Sequence, residues 1–185
     1  MIVIYTVGHS TRSLDDFVEM LRHYGIARLV DVRTIPRSRH NPQFNGDALG
    51  RSLRNRGIGY RHMKRLGGLR HARSDSQNTG WHNVSFRGFA DYMQTLDFAV
   101  AIGKLVELAK EKPTVIMCAE AVPWRCHRSL IGDALIVRGI EVRDIFSTKN
   151  VKPHVLTHMA EVRDTRITYP PPVAHTVVAG EGGVT

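Results

Sequence analysis

Short apolar runs alternate with stretches of helical spacing along the chain, the pattern of βαβ units that feed a mainly parallel sheet. Five runs read as strands: Ile2 to Val7, Arg28 to Arg33, Ile58 to His62, Thr114 to Cys118 and Glu141 to Phe146. After the first, Ser13 is placed to cap a helix through Phe17, Val18 and Leu21, with Asp15 and Asp16 in its positive first turn and Gly25 ending it. A second helix is predicted from about Asp47 to Arg56, where Gly57 stops it. Ser85 to Lys110 reads as two helices, because Phe86, Phe89, Ala90 and Met93 follow one stripe and Phe98, Ile102, Leu105 and Leu108 another. The last helix is expected from about Arg125 to Arg138. Two connections are irregular: Thr34 to Asn45, which contains Pro36 and Pro42, and the polar, glycine-containing Arg70 to Asn83.

These elements predict an α/β fold: one three-layer domain over residues 1–150, with a mainly parallel sheet of about five strands and helices on both faces. Past Ser147 the hydrophobic pattern weakens. Residues 151–170 are expected to fold back on the domain as an extension, and 171–185, beginning in prolines and ending Gly-rich, to form a flexible tail.

Composition narrows the function classes. The chain has 185 residues, a formal net charge of +9 and a pI near 10.1. Such a balance favours an anionic small molecule or nucleotide as partner, with nucleic acid as the alternative. The Lys and Arg residues are scattered rather than blocked, so part of the charge solvates the surface. No run approaches the ~20 apolar residues of a membrane span, and the amino terminus lacks a signal-peptide pattern. A cytoplasmic protein without a membrane partner is expected, its two cysteines reduced thiols rather than a staple.

The candidate chemistry falls just after the predicted strands, where loops at the carboxyl ends of parallel strands converge on one rim. Thr114 to Arg128 is the densest stretch, holding both cysteines beside a carboxylate, a histidine and two arginines. Cys118, Cys126, His127, Glu120 and His9 are the candidate catalytic residues: thiols as nucleophiles, the others in proton transfer. Ser10, Arg33, Arg37, Arg39, His62, Trp124, Arg125 and Arg128 are the candidate binding residues, the forked guanidinium groups suiting phosphate or carboxylate. Each has a competing structural role. Small cysteines fill cores, histidines tie loops, and Asp31 or Glu120 pairs internally with some of the arginines. A structural metal is a further alternative, with Cys118, Cys126 and His127 as ligands and His9, His62 or His154 as a fourth. Against it, Cys126 and His127 as helical neighbours point in different directions. No resident metal or cofactor is therefore expected.

Several motifs together carry a family resemblance: Tyr5-Thr-Val-Gly-His-Ser10, Asp31-Val-Arg33, Pro36-Arg-Ser-Arg39, Pro42-Gln-Phe44, Leu66-Gly-Gly68, Phe89-Ala-Asp-Tyr-Met93, Met117-Cys-Ala-Glu120 and Pro123-Trp-Arg-Cys-His-Arg128, with Pro153-His154 and Ile167-Thr-Tyr-Pro170 in the tail. Over nearly its whole length the chain resembles the family called domain of unknown function 488. The resemblance implies a fold and a site rather than a substrate. The placement of Cys118 is also similar to the nucleophile loops of rhodaneses and cysteine phosphatases, although six residues rather than the phosphatase five separate it from Arg125. The expected function is a small enzyme acting on an anionic, phosphate-bearing or nucleotide-like substrate. The alternatives are a nucleic-acid or nucleotide-binding module and a structural metal-binding protein.

Overall fold

The computed structural model describes residues 2–172. The tail predicted from 171 therefore lies, from residue 173 on, outside the described residues. Five parallel strands, β1 (Val3–Gly8), β2 (Arg28–Asp31), β3 (Gly59–His62), β4 (Thr114–Cys118) and β5 (Glu141–Ser147), stand in the order β3-β2-β4-β1-β5. A sixth, β6 (Asn150–Pro153), adds antiparallel to β5. The sheet thus has six strands where the sequence suggested about five. All four residues of β6 are exposed, so no hydrophobic alternation marks it. A two-stranded hairpin, β7 (Glu161–Arg163) with β8 (Arg166–Thr168), follows.

The helices are α1 (Leu14–His23), α2 (Gly46–Arg54), α3 (Val84–Tyr92), α4 (Leu96–Glu111) and α5 (Arg128–Ile136). Their starts follow from capping. Ser13 Oγ accepts from the Asp16 amide at 3.1 Å, and Asp15 and Asp16 occupy the first turn. Asn83 caps α3 through the amides of Ser85 and Phe86, and Thr95 caps α4 through Phe98, so the run from Ser85 to Lys110 divides as its two apolar stripes predicted.

Buried residues form two clusters that use alternate positions of the strands, as the two-residue period of a sheet requires. Leu29, Val115 and Met117 pack with Phe17, Leu21, Leu49 and Leu53 of α1 and α2. Val30, Ile116 and Cys118 pack with Phe89, Ile102, Leu105 and Leu130 of α3, α4 and α5. The loops after β2 and β4, which are neighbouring strands, consequently leave toward helices of different clusters. Such divergence opens a crevice at the carboxyl ends of the strands.

The last helix starts later than its periodicity suggested. Pro123–Arg125 form a separate 3-10 turn, and Cys126 is extended (φ −141°, ψ 145°) before α5 begins at Arg128. An extended residue cannot propagate helical hydrogen bonding, so Cys126 and His127 belong to the connecting turn.

Candidate functional site

A cavity of about 460 Å³ occupies the crevice between the β2 and β4 loops, within the size range of small-ligand pockets. Its lining brings together Cys118, Glu120, Arg125, Cys126 and His127 from one loop and Arg33 and Arg37 from the other. Seven of the thirteen candidate residues thus meet at one cleft, although about eighty residues separate the two segments.

Steric fit fixes these loops. A Cβ on Gly8 would stand 1.8 Å from the Glu120 carbonyl oxygen, so glycine is needed where β1 passes the β4 loop. The amides of His9 and Ser10 then donate to the Cys118 and Ala119 carbonyls at 3.0 Å. A Cβ on Gly68 would lie 2.5 Å from His127 Nδ1, and one on Gly67 would meet Thr34. The Leu66-Gly-Gly68 motif therefore lets the chain lie against the histidine ring.

The sulfurs of Cys118 and Cys126 lie against each other, with their Cα atoms 7.7 Å apart, wider than a relaxed disulfide spans, so the fold holds them as a close pair of thiols. Both residues are buried at the floor of the cleft, 4% and 5% exposed. Cys126 Sγ also receives the Arg128 amide at 3.4 Å, at the start of α5, and lies 3.5 Å from His127 Nδ1. The predicted divergence of Cys126 and His127 is thus overturned, because neither is in the helix.

His127 Nε2 is 3.0 Å from the Val32 carbonyl, which can only accept, so Nε2 carries the proton and Nδ1 presents its lone pair toward Cys126. Burial lowers the His127 pKa to about 4, against the opposing pull of the Val32 carbonyl and with the Arg128 charge adding to the fall. The ring is neutral at pH 7 while both sulfurs are uncharged. A thiolate on Cys126 would place an opposite charge beside it and raise that pKa.

The arginines divide into bound and free. Arg33 Nε donates to Asp31 Oδ1 at 2.9 Å, Nη2 pairs with Oδ2 and donates to the Phe44 carbonyl at 2.8 Å, and the whole group is 7% exposed. Tyr60 donates its hydroxyl to Asp31 at 2.9 Å. Arg33 therefore braces the cleft wall with its charge already neutralised. Arg37 and Arg125 are exposed at the cleft and, among the described residues, make no ion pair. They are the cations available to a ligand.

The remaining candidates lie elsewhere. His9 stacks on Phe44 at 4.3 Å, donates Nδ1–H to the Ser10 carbonyl and accepts from Arg33 at Nε2. Burial holds its pKa at about 4. With both nitrogens engaged, it supports the Asp31–Arg33 pair instead of reaching the cleft. Ser10 is a left-handed turn residue (φ 50°), and His62 donates to the Arg33 carbonyl at 2.8 Å. Arg39 is exposed outside the cavity lining. Arg128, expected on the rim, is 1% exposed beneath it, and its Nη2 donates to the Glu120 carbonyl at 3.3 Å. Burial lowers its pKa to about 10.

Trp124 is 63% exposed and faces a neighbouring cavity beside Phe146. His154, considered above as a fourth metal ligand, lies between Asp133 and Asp144. Among the described residues no group of three or more His, Cys, Asp or Glu is arranged to hold a metal ion. Sequence reasoning missed Thr34, Leu69, Asn83 and Ser85, which also line the cleft. The helix-capping pattern at Asn83 was the available signal for the last two.

The profile of the family described as Domain of unknown function DUF488 matches residues 13–135, which is most of the chain. The chain belongs to this family. The matched span of this DUF488 member includes both walls of the cleft, whereas Gly8, His9 and the carboxy-terminal strands lie outside it. No curated protein and no solved structure matches the chain. No helix among the described residues is long and apolar enough to cross a membrane.

Proposed function

We propose that this DUF488 member is a small cytoplasmic enzyme that uses Cys126 as a nucleophile on an anionic substrate, at the carboxyl rim of the middle sheet of a three-layer α/β unit. One observation carries the reading: Cys126 Sγ, beside the lone pair of His127, shares a cleft with the guanidinium groups of Arg37 and Arg125, which make no ion pair among the described residues. Of the two cysteines, Cys126 is the better nucleophile. Its sulfur meets the Arg128 amide, which stabilises a thiolate, and the His127 Nδ1 lone pair, which can take up the thiol proton and then pair with the thiolate as imidazolium. Arg37 and Arg125 hold the anionic group of the substrate, and Glu120 on the same wall selects against a second negative group placed near it. The +9 charge and the exposed Trp124 beside Arg125 favour, as the second reading, a module that binds nucleic acid through stacking and phosphate contacts. That reading predicts salt-sensitive binding indifferent to alkylation.

Alkylation of the reduced chain by iodoacetamide at pH 7, mapped by peptide mass, tests the enzyme reading. Cys126 is expected to react before Cys118 and roughly tenfold faster than in the urea-unfolded chain. Two cysteines that both react no faster than when unfolded would overturn it.

A further inference from the structure

Nucleophilic attack by one thiol does not call for a second sulfur against it, yet Cys118 is held there by the fold. It ends β4, its carbonyl fixed by the His9 amide, and it packs in the same cluster as Cys126. If Cys126 took up an acyl or phosphoryl group, an adjacent thiol would accept that group without releasing it. A mixed disulfide on Cys126 is different, because attack by the second thiolate both expels the substrate thiol and closes the internal bond. The neighbouring sulfur therefore completes the reaction for a disulfide substrate, where it would only trap an acyl or phosphoryl group.

Resting on the nucleophile reading above, we propose that the cleft carries out thiol–disulfide exchange on small anionic disulfides, with Cys126 attacking and Cys118 resolving. The Cys126 thiolate displaces one thiolate from R–S–S–R, forming Cys126–S–S–R. The Cys118 thiolate then attacks Cys126 Sγ and expels the second thiolate. Overall, two protein thiols and one disulfide give the Cys118–Cys126 disulfide and two free thiols, with two electrons and two protons passing to the substrate. The reverse sequence reduces the protein with the same class of thiol.

Three features of the cleft fit this chemistry. The Cα separation of 7.7 Å exceeds the roughly 4.4–6.8 Å usual for disulfides, so the backbone also holds the pair as two adjacent thiols. The connecting segment contains only a 3-10 turn, which can follow a change in sulfur separation more readily than a helix. Arg37 and Arg125 at the mouth select disulfides that carry carboxylates or phosphates. A cytoplasmic disulfide is, moreover, more often catalytic than structural.

The full-length reduced chain, mixed with the tetra-anionic disulfide of mercaptosuccinate or with the dicationic disulfide cystamine, provides the test. Intact mass and released thiol are followed, and circular dichroism checks the folding of each variant. The wild type is expected to lose ~2 Da and release two thiols per chain. After division by each reagent's rate with the unfolded chain, the anionic disulfide is expected to be roughly tenfold faster. Cys118→Ser is expected to stop as a mixed disulfide on Cys126, and Cys126→Ser to lose the fast reaction. A wild type that rests as a mixed disulfide, or that shows no preference for the anionic reagent, would overturn the proposal while leaving fast iodoacetamide labelling of Cys126 intact. Slow labelling of Cys126 as well would remove both this proposal and the nucleophile reading.

Discussion

Asp133→Ala is expected to lower the unfolding free energy by about 3–5 kcal/mol, the usual cost of removing one partner from a buried ion pair. Asp133 is fully buried on α5 and accepts from the Tyr169 hydroxyl at 2.8 Å and the Thr157 amide at 3.1 Å. His154 lies 3.2 Å from its Oδ1 through Nε2 and donates Nδ1–H to Asp144 at 2.8 Å, while Thr6 donates to the other Asp144 oxygen. One carboxylate thus ties α5 to β8's continuation and, through His154, to β1 and β5. Its removal leaves a cationic imidazole with a single anion and a phenol hydroxyl buried without an acceptor. Urea unfolding at pH 6.5 measures the loss, which should appear as a lower midpoint at unchanged slope. A loss below about 1 kcal/mol would mean that the network is not closed in solution.

Stability should also peak near pH 6.5 and fall on either side. Burial alone would lower the His154 pKa, but hydrogen bonds to Asp133 and Asp144, and their charges, raise it to about 9. A raised folded-state value stabilises fully below the unfolded value of about 6.5 and is lost as pH climbs through 9. The difference of about 2.5 units corresponds to about 3 kcal/mol over that window. His9 and His127 act in the opposite sense. Burial lowers both to about 4, so the unfolded chain binds more protons between pH 6.5 and 4, and stability falls as the solution is acidified. Two imidazoles then titrate together, making the acid limb about twice as steep as the alkaline one. Chemical denaturation across pH 4–10 measures both limbs. In Asp133→Ala the alkaline limb should flatten, because His154 loses one of the anions that raise it.

The parallel core was legible because burial imposes a period on it. β4 was placed to the residue, and β1, β2, β3 and β5 within one or two residues at each end, since their side chains must suit the clusters beside them. β6 to β8 were not legible because they bury little. Residues 150–153 and 161–163 are all exposed, and only Ile167 of the hairpin enters a core. The start of α5 was misplaced because Cys126 and His127 keep a helical spacing with Leu130, Ile131 and Ala134, although Cys126 is extended and the helix begins at Arg128.

The site was legible as a gathering of residue types, but the state of each charge was not. Arg33, Arg37 and Arg125 look alike in sequence, yet Asp31 and the Phe44 carbonyl occupy only the first. Arg128 lies one helical step from the cleft and is directed beneath it, where burial rather than solvent surrounds it. The sulfur pair required knowing where the helix starts. The network around Asp133 joins residues from β1, α5, β5 and the carboxy-terminal segment, and no local pattern encodes such a meeting.

The decisive quantity is the ratio of Cys126 alkylation rates by iodoacetate and iodoacetamide, which differ in charge but share their reacting carbon. In the folded, reduced chain this ratio should exceed that of the urea-unfolded chain by roughly tenfold, and should return to the unfolded value when Arg37 and Arg125 are both replaced by alanine. A ratio equal to that of the unfolded chain, unmoved by the double replacement, would contradict an anion-binding thiol site in this cleft.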